Sequence, residues 1–373
     1  MSRAPLRVAV LGAGTVGREV VRALLEREGN LGLAGGARFE LAGVAVRDPA
    51  RAVARGLPAD LVSDAPAHLV AAPDVDVIVE LMGGDEPANT LIGAALSMGK
   101  AVVTANKHVI AHHGPELESI ARRTGAALRF EASVGGGIPV LGPLAGDLAA
   151  NRVRRVRGIV NGTTNFILTA MTDPSEPVDY DAALAEAQRL GYAEADPTAD
   201  VEGLDAVNKL VILTRLAFDR WIDPGAVATR PDGADGPAGA GITTVSLADQ
   251  EDAARDGRII RLLATAESAG DGPVAVAVLP TALPAGSPLG RTGGVRNRIE
   301  VDAEPVGRVG FDGPGAGGAA TSSAVLGDLV AIAAGSGSTW GPRPAAHSST
   351  DRVPAPIREA FRVRSGIAYP MDD

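Results

Sequence analysis

Aliphatic runs of strand length alternate with helical patterns along residues 6–141. The run at residues 6–11, LRVAVL, is apolar at almost every position, as in a parallel strand that is buried on both faces. The sequence predicts further strands at 39–46, 75–84, 101–107 and 127–141, and helices at 18–28 and 92–100. Because strands and helices alternate, we predict an α/β fold built on a parallel sheet.

A different pattern occupies residues 204–218, where apolar side chains cover most of the circumference of one predicted helix. Asp205 and Lys209 lie four residues apart on a row that continues through aliphatic side chains, so both charges should face inward. A buried ammonium is strongly unfavourable unless carboxylates or a ligand compensate it, and Glu194 and Asp200 are close in sequence. We interpret this group as an active site; the alternative is a solvated ion pair of little consequence.

A glycine motif, GAGTVG at residues 12–17, stands between the first predicted strand and its helix. Gly12 would allow a tight turn, Gly14 the close approach of a pyrophosphate, and Gly17 close packing of helix on strand. The helix N-terminus would offer its free N–H groups to the phosphates. This context predicts a dinucleotide site that includes Thr15 and Val16; a glycine-rich turn without function is the alternative.

The second predicted strand ends at Arg47-Asp48. An acid at this point binds the ribose 2′-hydroxyl of NAD, whereas an arginine accommodates the 2′-phosphate of NADP. Because Arg51 and Arg55 follow Arg47 at helical spacing, we favour NADP over NAD, with Arg47 as a contact. The alternative is that these arginines form a solvated helix face.

Two more predicted strand ends carry candidate chemistry. Ligands of open parallel sheets bind outside the carboxyl ends of the strands, so Lys107 could reach a nicotinamide or a bound carboxylate; the alternative is an exposed lysine in a polar turn. Glu131 precedes SVGGGIP, an oxygen-rich loop that could hold a hard cation. Its glycines could equally serve only to shape a turn.

Composition narrows the possible functions. A chain of 373 residues with 46% hydrophobic content can form two domains, and a net charge of −10 argues against nucleic-acid binding. The absence of cysteine excludes disulfides, thiolate metal sites and aldehyde dehydrogenases that form a thioester. No apolar run is long enough to span a membrane, and we expect a cytoplasmic protein.

Several segments, in this order, resemble homoserine dehydrogenases. They are GAGTVG, ANKHVIA at 105–111, EASVGGGIPV at 131–140, GIVNGTTNFIL at 158–168, EAQRLGYAEADPTADVEGLDAVNKL at 186–210 and GPGAGGAATSSAVLGDL at 313–329. The lysine-bearing segment is far more specific than a glycine motif. The resemblance implies NAD(P)-dependent interconversion of L-aspartate 4-semialdehyde and L-homoserine, on the route to threonine, methionine and isoleucine.

The resemblance also implies roles for individual residues. Lys209 matches the family's proton-donating lysine, and Lys107 matches its second active-site lysine. The substrate-binding carboxylates match Glu194 and Asp205, with Asp200 as a neighbouring acid. Positions that contact the cofactor match Thr104, Gly191 and Gly315, in addition to the glycine motif. A site for a monovalent cation, Na⁺ or K⁺, matches Glu131, Val134, Gly136 and Ile138.

The implied fold is an N-terminal Rossmann dinucleotide-binding domain with a second α+β catalytic and dimerisation domain, in a homodimer. We place the first domain at 1–135, completed by a helix at 319–335, and the second at 136–318. Residues 336–373 are expected to be a partly disordered tail or the remnant of a regulatory ACT domain, so feedback by threonine through a complete ACT domain is not expected. Two alternatives stay open: a related Rossmann dehydrogenase for another small amino-acid aldehyde, and a non-catalytic dinucleotide-sensing protein.

Overall fold

The computed structural model describes residues 4–26, 38–173, 175–230, 241–268, 273–349, 361–364 and 366–370. The chain forms two compact units. Unit 1 contains Met1–Asp147 and Ala316–Ala346, and unit 2 contains Leu148–Gly315 and His347–Asp373. Two glycine-rich segments of the sequence, 29–36 and 231–240, lie outside the described residues. No helix in the described part of the chain is long and apolar enough to cross a membrane.

Unit 1 is a parallel sheet of six strands in the order β3-β2-β1-β4-β5-β6. The strands are β1 (Leu6–Leu11), β2 (Phe39–Ala45), β3 (Val62–Ser63), β4 (Val77–Glu80), β5 (Ala101–Thr104) and β6 (Leu128–Arg129). The helices are α1 (Thr15–Glu26), α2 (Pro49–Ala54), α3 (Pro66–Ala71), α4 (Ala88–Ser97), α5 (Lys107–Thr124), the 3₁₀ turn η1 (Glu131–Ser133) and α6 (Leu141–Ala145). The predicted α/β alternation is confirmed. Strand order reverses between β1 and β4, where sheets of this kind bind their ligands.

The aliphatic runs become the centre of this sheet. Residues Val8, Ala9, Val10 and Leu11 of β1 have no exposed surface, and neither do Val77, Ile78 and Val79 of β4. Burial on both faces explains why these strands are apolar throughout rather than at alternate positions.

Unit 2 is built on a mixed sheet of seven strands in the order β12-β11-β7-β9-β10-β15-β14, beside a pair of strands β13-β8. The strands are β7 (Arg152–Ile159), β8 (Arg220–Ile222), β9 (Arg258–Ser268), β10 (Val274–Pro284), β11 (Arg296–Glu304), β12 (Gly307–Pro314), β13 (His347–Ser349), β14 (Phe361–Arg364) and β15 (Ile367–Pro370). The helices are α7 (Gly162–Ala170), α8 (Tyr180–Arg189), α9 (Thr198–Val201), α10 (Leu204–Phe218), the 3₁₀ turn η2 (Pro224–Ala226) and α11 (Leu247–Arg255). Neighbouring strands of the large sheet are antiparallel except β10 and β15, which are parallel.

Helix α10 confirms the buried helix predicted at 204–218. It packs against β7, β9 and β10, and Leu210, Val211 and Ile212 are completely buried. The chain enters α10 through Gly203, which has φ +85°; a Cβ here would lie 3.2 Å from Cγ1 of Val278. A glycine is therefore favoured at this helix start for its conformation and for its size.

The last helix of unit 1, α12 (Gly318–Ala333), returns to the sheet of that unit and packs against α1. A Cβ on Gly318 would lie 3.0 Å from the carbonyl oxygen of Thr15. The glycines before α12 therefore let two helix N-termini approach each other closely.

Candidate active site

Lys209 and Asp205 form a buried ion pair on α10. The Lys209 Nζ donates to Asp205 Oδ2 at 2.6 Å and to the backbone carbonyl of Val160 at 2.7 Å. The side chains of the lysine and the aspartate are only 11% and 7% exposed, so the expected inward orientation is confirmed. Val160 follows β7 directly, and the ammonium therefore lies where the carboxyl end of β7 meets the first turn of α10.

Asn161 connects this ion pair to a second carboxylate. Its Nδ2 donates to Asp205 Oδ2 at 2.8 Å and to Asp200 Oδ1 at 2.7 Å. Its Oδ1 accepts from the Thr164 amide at 2.8 Å and so caps α7. In the sequence Asn161 stands only within the GIVNGTTNFIL segment, but in the structure it orients both acids. The sequence signal that could have identified Asn161 is its position as a helix N-cap residue directly after a predicted strand.

Asp200 is half-buried and has a second partner, because the Thr163 hydroxyl donates to its Oδ2 at 3.0 Å. The same hydroxyl also lies 2.7 Å from the backbone carbonyl of Tyr192, which holds the segment between α8 and α9 beside α7. Within that segment Gly191 and Glu194 are both exposed. Gly191 has φ +76°, and the backbone carbonyl of Glu194 accepts from Gln188. The structure thus brings together Lys209, Asp205 and Asp200, with Asn161 between them.

The glycine motif of unit 1 forms a tight turn at the carboxyl end of β1. Gly12 has φ +100°, and a Cβ there would lie 2.6 Å from the carbonyl oxygen of Leu81, after β4. A Cβ on Gly17 would overlap the carbonyl oxygen of Gly12, whereas Gly14 has open space around it. Gly14 and Thr15 are exposed and Val16 is half-buried. Gly12 and Gly17 thus form the tight turn and the close packing that the motif predicts, and the space beside Gly14 leaves room for a ligand.

Arg47 and Asp48 follow β2 after Val46. Asp48 Oδ1 accepts from the Arg51 amide at 2.9 Å and caps α2. Arg47 is exposed at the same edge of the sheet. Both side chains are therefore accessible to a ligand, although one oxygen of Asp48 already accepts a hydrogen bond at the start of α2.

Thr104 and Lys107 lie at the carboxyl end of β5. Thr104 is completely buried, and its hydroxyl donates to Glu80 Oε2 at 2.6 Å. Lys107 is half-buried at the first position of α5, which Asn106 caps through a bond from the Val109 amide. Sequence reasoning missed Glu80 and Asn106, since their importance depends on contacts between separate strand ends.

Glu131 is buried after β6, and its carboxylate binds backbone donors. It accepts from the amides of Val140, Leu141 and Gly142 at 2.6–2.8 Å. Burial raises its pKa above the ordinary value, the three amides lower it, and nearby Asp328 raises it further. Val134, Gly136 and Ile138 lie in the buried turn between η1 and α6. Within the ranges that the structure describes, no group of three or more His, Asp or Glu side chains could hold a metal ion, so a cation here would depend on backbone carbonyls.

Gly315 is at the end of β12, in the GPGAGG segment. A Cβ on this glycine would overlap the side-chain amide of Asn297, which is buried on β11. The glycine is therefore required at this position by its neighbour.

Both units of the chain match protein families with known members. Residues 12–131 match the model of the homoserine dehydrogenase NAD-binding domain, and residues 139–330 match the homoserine dehydrogenase model itself. The chain belongs to the homoserine dehydrogenase family. The homoserine dehydrogenase of Corynebacterium glutamicum is 44% identical over 330 residues, which cover 87% of this chain and 71% of that protein.

Solved structures of the family agree with this assignment. A homoserine dehydrogenase from Thiobacillus denitrificans superposes with a TM-score of 0.81 and 38% identity, covering 88% of this chain and 73% of that one. A hyperthermophilic archaeal homoserine dehydrogenase, whose structure contains NADPH, has a TM-score of 0.70 and 26% identity, covering 88% of this chain and 97% of that one. Unit 1 is thus the NAD(P)-binding part of a family whose members are NAD(P)-dependent oxidoreductases.

Proposed function

We propose that this chain interconverts L-homoserine and L-aspartate 4-semialdehyde with NAD(P), and that Lys209 transfers the proton. The observation that carries the proposal is the buried ammonium of Lys209 beside Asp205. Burying a lysine ammonium costs folding free energy, even beside a carboxylate. A lysine that is buried in this way is therefore a candidate for a chemical role. In the reaction proposed from family membership, that role is proton transfer to or from the substrate oxygen.

Lys209 has the geometry of a general acid. An ammonium has three N–H donors, and within the described residues two of them bond to Asp205 and Val160. The third is left for a substrate oxygen. The cofactor, when bound, accepts or supplies a hydride; as an aldehyde carbon is reduced, negative charge develops on its oxygen, and Lys209 stabilises that charge and protonates it. In the oxidation direction the step runs in reverse: the neutral amine form of Lys209 accepts the hydroxyl proton and becomes the ammonium.

The carboxylates suit the amino end of the substrate. Asp200 and Asp205 are two acids close to Lys209, and Asn161 donates a hydrogen bond to each of them. A substrate ammonium would bind to these acids through charge-assisted hydrogen bonds. Glu194 is exposed on the adjoining segment and adds to the attraction for a cationic group. Lys107 is assigned to the carboxylate or the carbonyl of the substrate.

We propose NADP as the preferred cofactor. Asp48 and Arg47 are both exposed after the end of β2, and Asp48 caps α2 through Oδ1. An arginine at this place accommodates a 2′-phosphate. The archaeal relative with NADPH supports the same preference.

We also propose that Na⁺ or K⁺ binds beside Glu131. Glu131 and Asp328 are both buried, and Arg129 forms an ion pair with Asp328 at 2.7 Å. Two acids and one arginine leave an excess negative charge, which a monovalent cation held by nearby backbone carbonyls would compensate.

Homoserine oxidation by the purified protein, with NAD⁺ and NADP⁺ assayed separately, tests the reaction. We expect turnover with homoserine and a higher kcat/KM with NADP⁺. Turnover only with a different small amino-acid alcohol or aldehyde would favour the related-dehydrogenase alternative. Cofactor binding without turnover of any of these substrates would favour the dinucleotide-sensing alternative and contradict the proposal.

A further inference from the structure

Glu80 is a buried acid that the proposed mechanism does not use. It is the last residue of β4, has no exposed surface and lies at the carboxyl end of the sheet beside the point where strand order reverses. No ion pair within the described residues reaches its carboxylate. A buried carboxylate is retained at such a cost only where it has several donors or a task.

Three donors converge on Glu80. The amides of Met82 and Gly83 donate to Oε1 at 2.7 and 3.2 Å, and the Thr104 hydroxyl donates to Oε2 at 2.6 Å. Burial raises the pKa of Glu80 above its ordinary value, although the hydroxyl of Thr104, the amides of Met82 and Gly83 and the side chain of Asn106 each lower it. Because all three partners donate, the ionised carboxylate is the form that satisfies them all.

The contacts continue from Glu80 to the start of α5. The Thr104 hydroxyl oxygen accepts from the Asn106 amide at 2.9 Å, and Asn106 Nδ2 donates to the carbonyl of Gly84 at 2.8 Å. Asn106 is also the cap of α5, and Lys107 is the first residue of that helix. One carboxylate thus connects the turn after β4 with the turn that carries Lys107.

The same turn after β4 touches the glycine motif. The Leu81 amide donates to the carbonyl of Leu11 at 2.7 Å, and the Leu81 carbonyl occupies the space beside Gly12. Glu80 therefore lies between the predicted pyrophosphate turn and Lys107, with hydrogen-bonded backbone on both sides.

We propose that Glu80 is a positioning residue that fixes Thr104 and Lys107 relative to the dinucleotide turn. This inference depends on the proposed function, because it assumes that Lys107 works on the substrate. An amide could not replace the carboxylate without loss. If the side-chain oxygen introduced by Glu80→Gln kept the two backbone donors, the new amide nitrogen would face the Thr104 oxygen, and the Thr104 hydroxyl proton would lose its acceptor.

A double-mutant cycle tests the inference. The variants are Glu80→Gln, Lys107→Ala and the combination, with kcat measured for homoserine oxidation and the Kd of NADPH measured by fluorescence. We expect Glu80→Gln alone to lower kcat about 10- to 100-fold, as small displacements of a catalytic group do. In the Lys107→Ala background the same change should lower kcat by less than about threefold, since coupled residues are not additive. Glu80→Gln should change the Kd of NADPH by less than about threefold in either background, because Glu80 has no exposed surface through which it could contact the cofactor.

Glu118→Gln is the matched control, since it removes a buried carboxylate of α5 that pairs with Arg122. It should lower thermal stability and leave kcat unchanged. The proposal is overturned if Glu80→Gln leaves kcat unchanged, or if its effect is the same with and without Lys107.

A wild-type protein that does not oxidise homoserine would contradict the proposed function rather than this inference. In that case, the rates of amide hydrogen exchange test separately whether Glu80 holds the turns after β4 and β5 in place. Faster exchange at Met82 and Asn106 in Glu80→Gln supports it, and unchanged protection of both amides overturns it.

Discussion

The carboxylate of Asp205 compensates the ammonium of Lys209, because the two side chains are buried together. Removing one partner of a buried pair leaves the other charge without compensation. We expect Asp205→Asn to lower the free energy of unfolding by about 3–5 kcal/mol, measured by urea denaturation. The double variant Asp205→Asn/Lys209→Met should be more stable than Asp205→Asn alone. An equal or lower stability of the double variant would contradict this account of the pair.

Two glycines of the motif make separable predictions. Gly17→Ala should destabilise unit 1, because its Cβ would overlap the carbonyl oxygen of Gly12. Gly14→Ala should leave the melting temperature unchanged, since the position is open, and should weaken NADPH binding by blocking the approach of the pyrophosphate. Thermal melts with and without NADPH distinguish the two effects. Unchanged NADPH affinity in Gly14→Ala would argue against a phosphate site at this turn.

Arg47 should determine the choice of cofactor. Arg47→Ala is expected to raise the KM for NADP⁺ by about tenfold, the equivalent of roughly 1.4 kcal/mol, and to leave the KM for NAD⁺ unchanged. Arg55→Ala serves as the control for a general loss of positive charge, because Arg55 is exposed at the other end of α2. An equal rise in the KM for NADP⁺ and for NAD⁺ would show that Arg47 does not bind the 2′-phosphate.

Among the elements, β6, η1 and α12 are joined through buried acids. Asp328 of α12 accepts from Arg129 at 2.7 Å and from the Glu131 amide at 2.9 Å. Burial raises the pKa of both Glu131 and Asp328 above their ordinary values of 4.5 and 3.8. Each acid then binds its proton more tightly when folded. Their contribution to the free energy of unfolding should therefore fall as pH rises from the ordinary value through the raised one.

A bound cation would oppose that loss. At a pH above the raised values, Na⁺ or K⁺ should increase the melting temperature relative to tetramethylammonium at equal ionic strength, and the increase should be absent in Glu131→Gln. At a pH below 4.5, where Glu131 keeps its proton, the two salts should act alike. The same increase in Glu131→Gln as in the wild type would contradict a cation site at Glu131.

Element patterns show what the sequence could predict and what it could not. β1 and α10 are visible in the sequence because burial on all sides requires an unbroken apolar pattern. The inward orientation of Lys209 follows from its spacing to Asp205. Asn161 and Glu80 are different, since each matters through hydrogen bonds to segments distant in the chain. Such contacts depend on strand order and on the ends of strands, which local sequence patterns do not encode.

For the whole molecule, we propose the homodimer that the family resemblance implies. Sedimentation equilibrium should give a mass twice the 37.7 kDa of the chain, at concentrations at which the enzyme is active. A monomer that is fully active at the same concentration would contradict this proposal.

The central claim is that Lys209 carries the proton transfer, and a single-turnover experiment tests it most directly. Lys209→Ala and the wild type are saturated with NADP⁺ and mixed with homoserine, and NADPH formation is followed by absorbance, with the Kd of NADPH measured in parallel. We predict that the variant binds NADPH as the wild type does and forms it at least about 100-fold more slowly, the size of effect expected for a general acid–base. NADPH formation at the wild-type rate in Lys209→Ala would contradict the account.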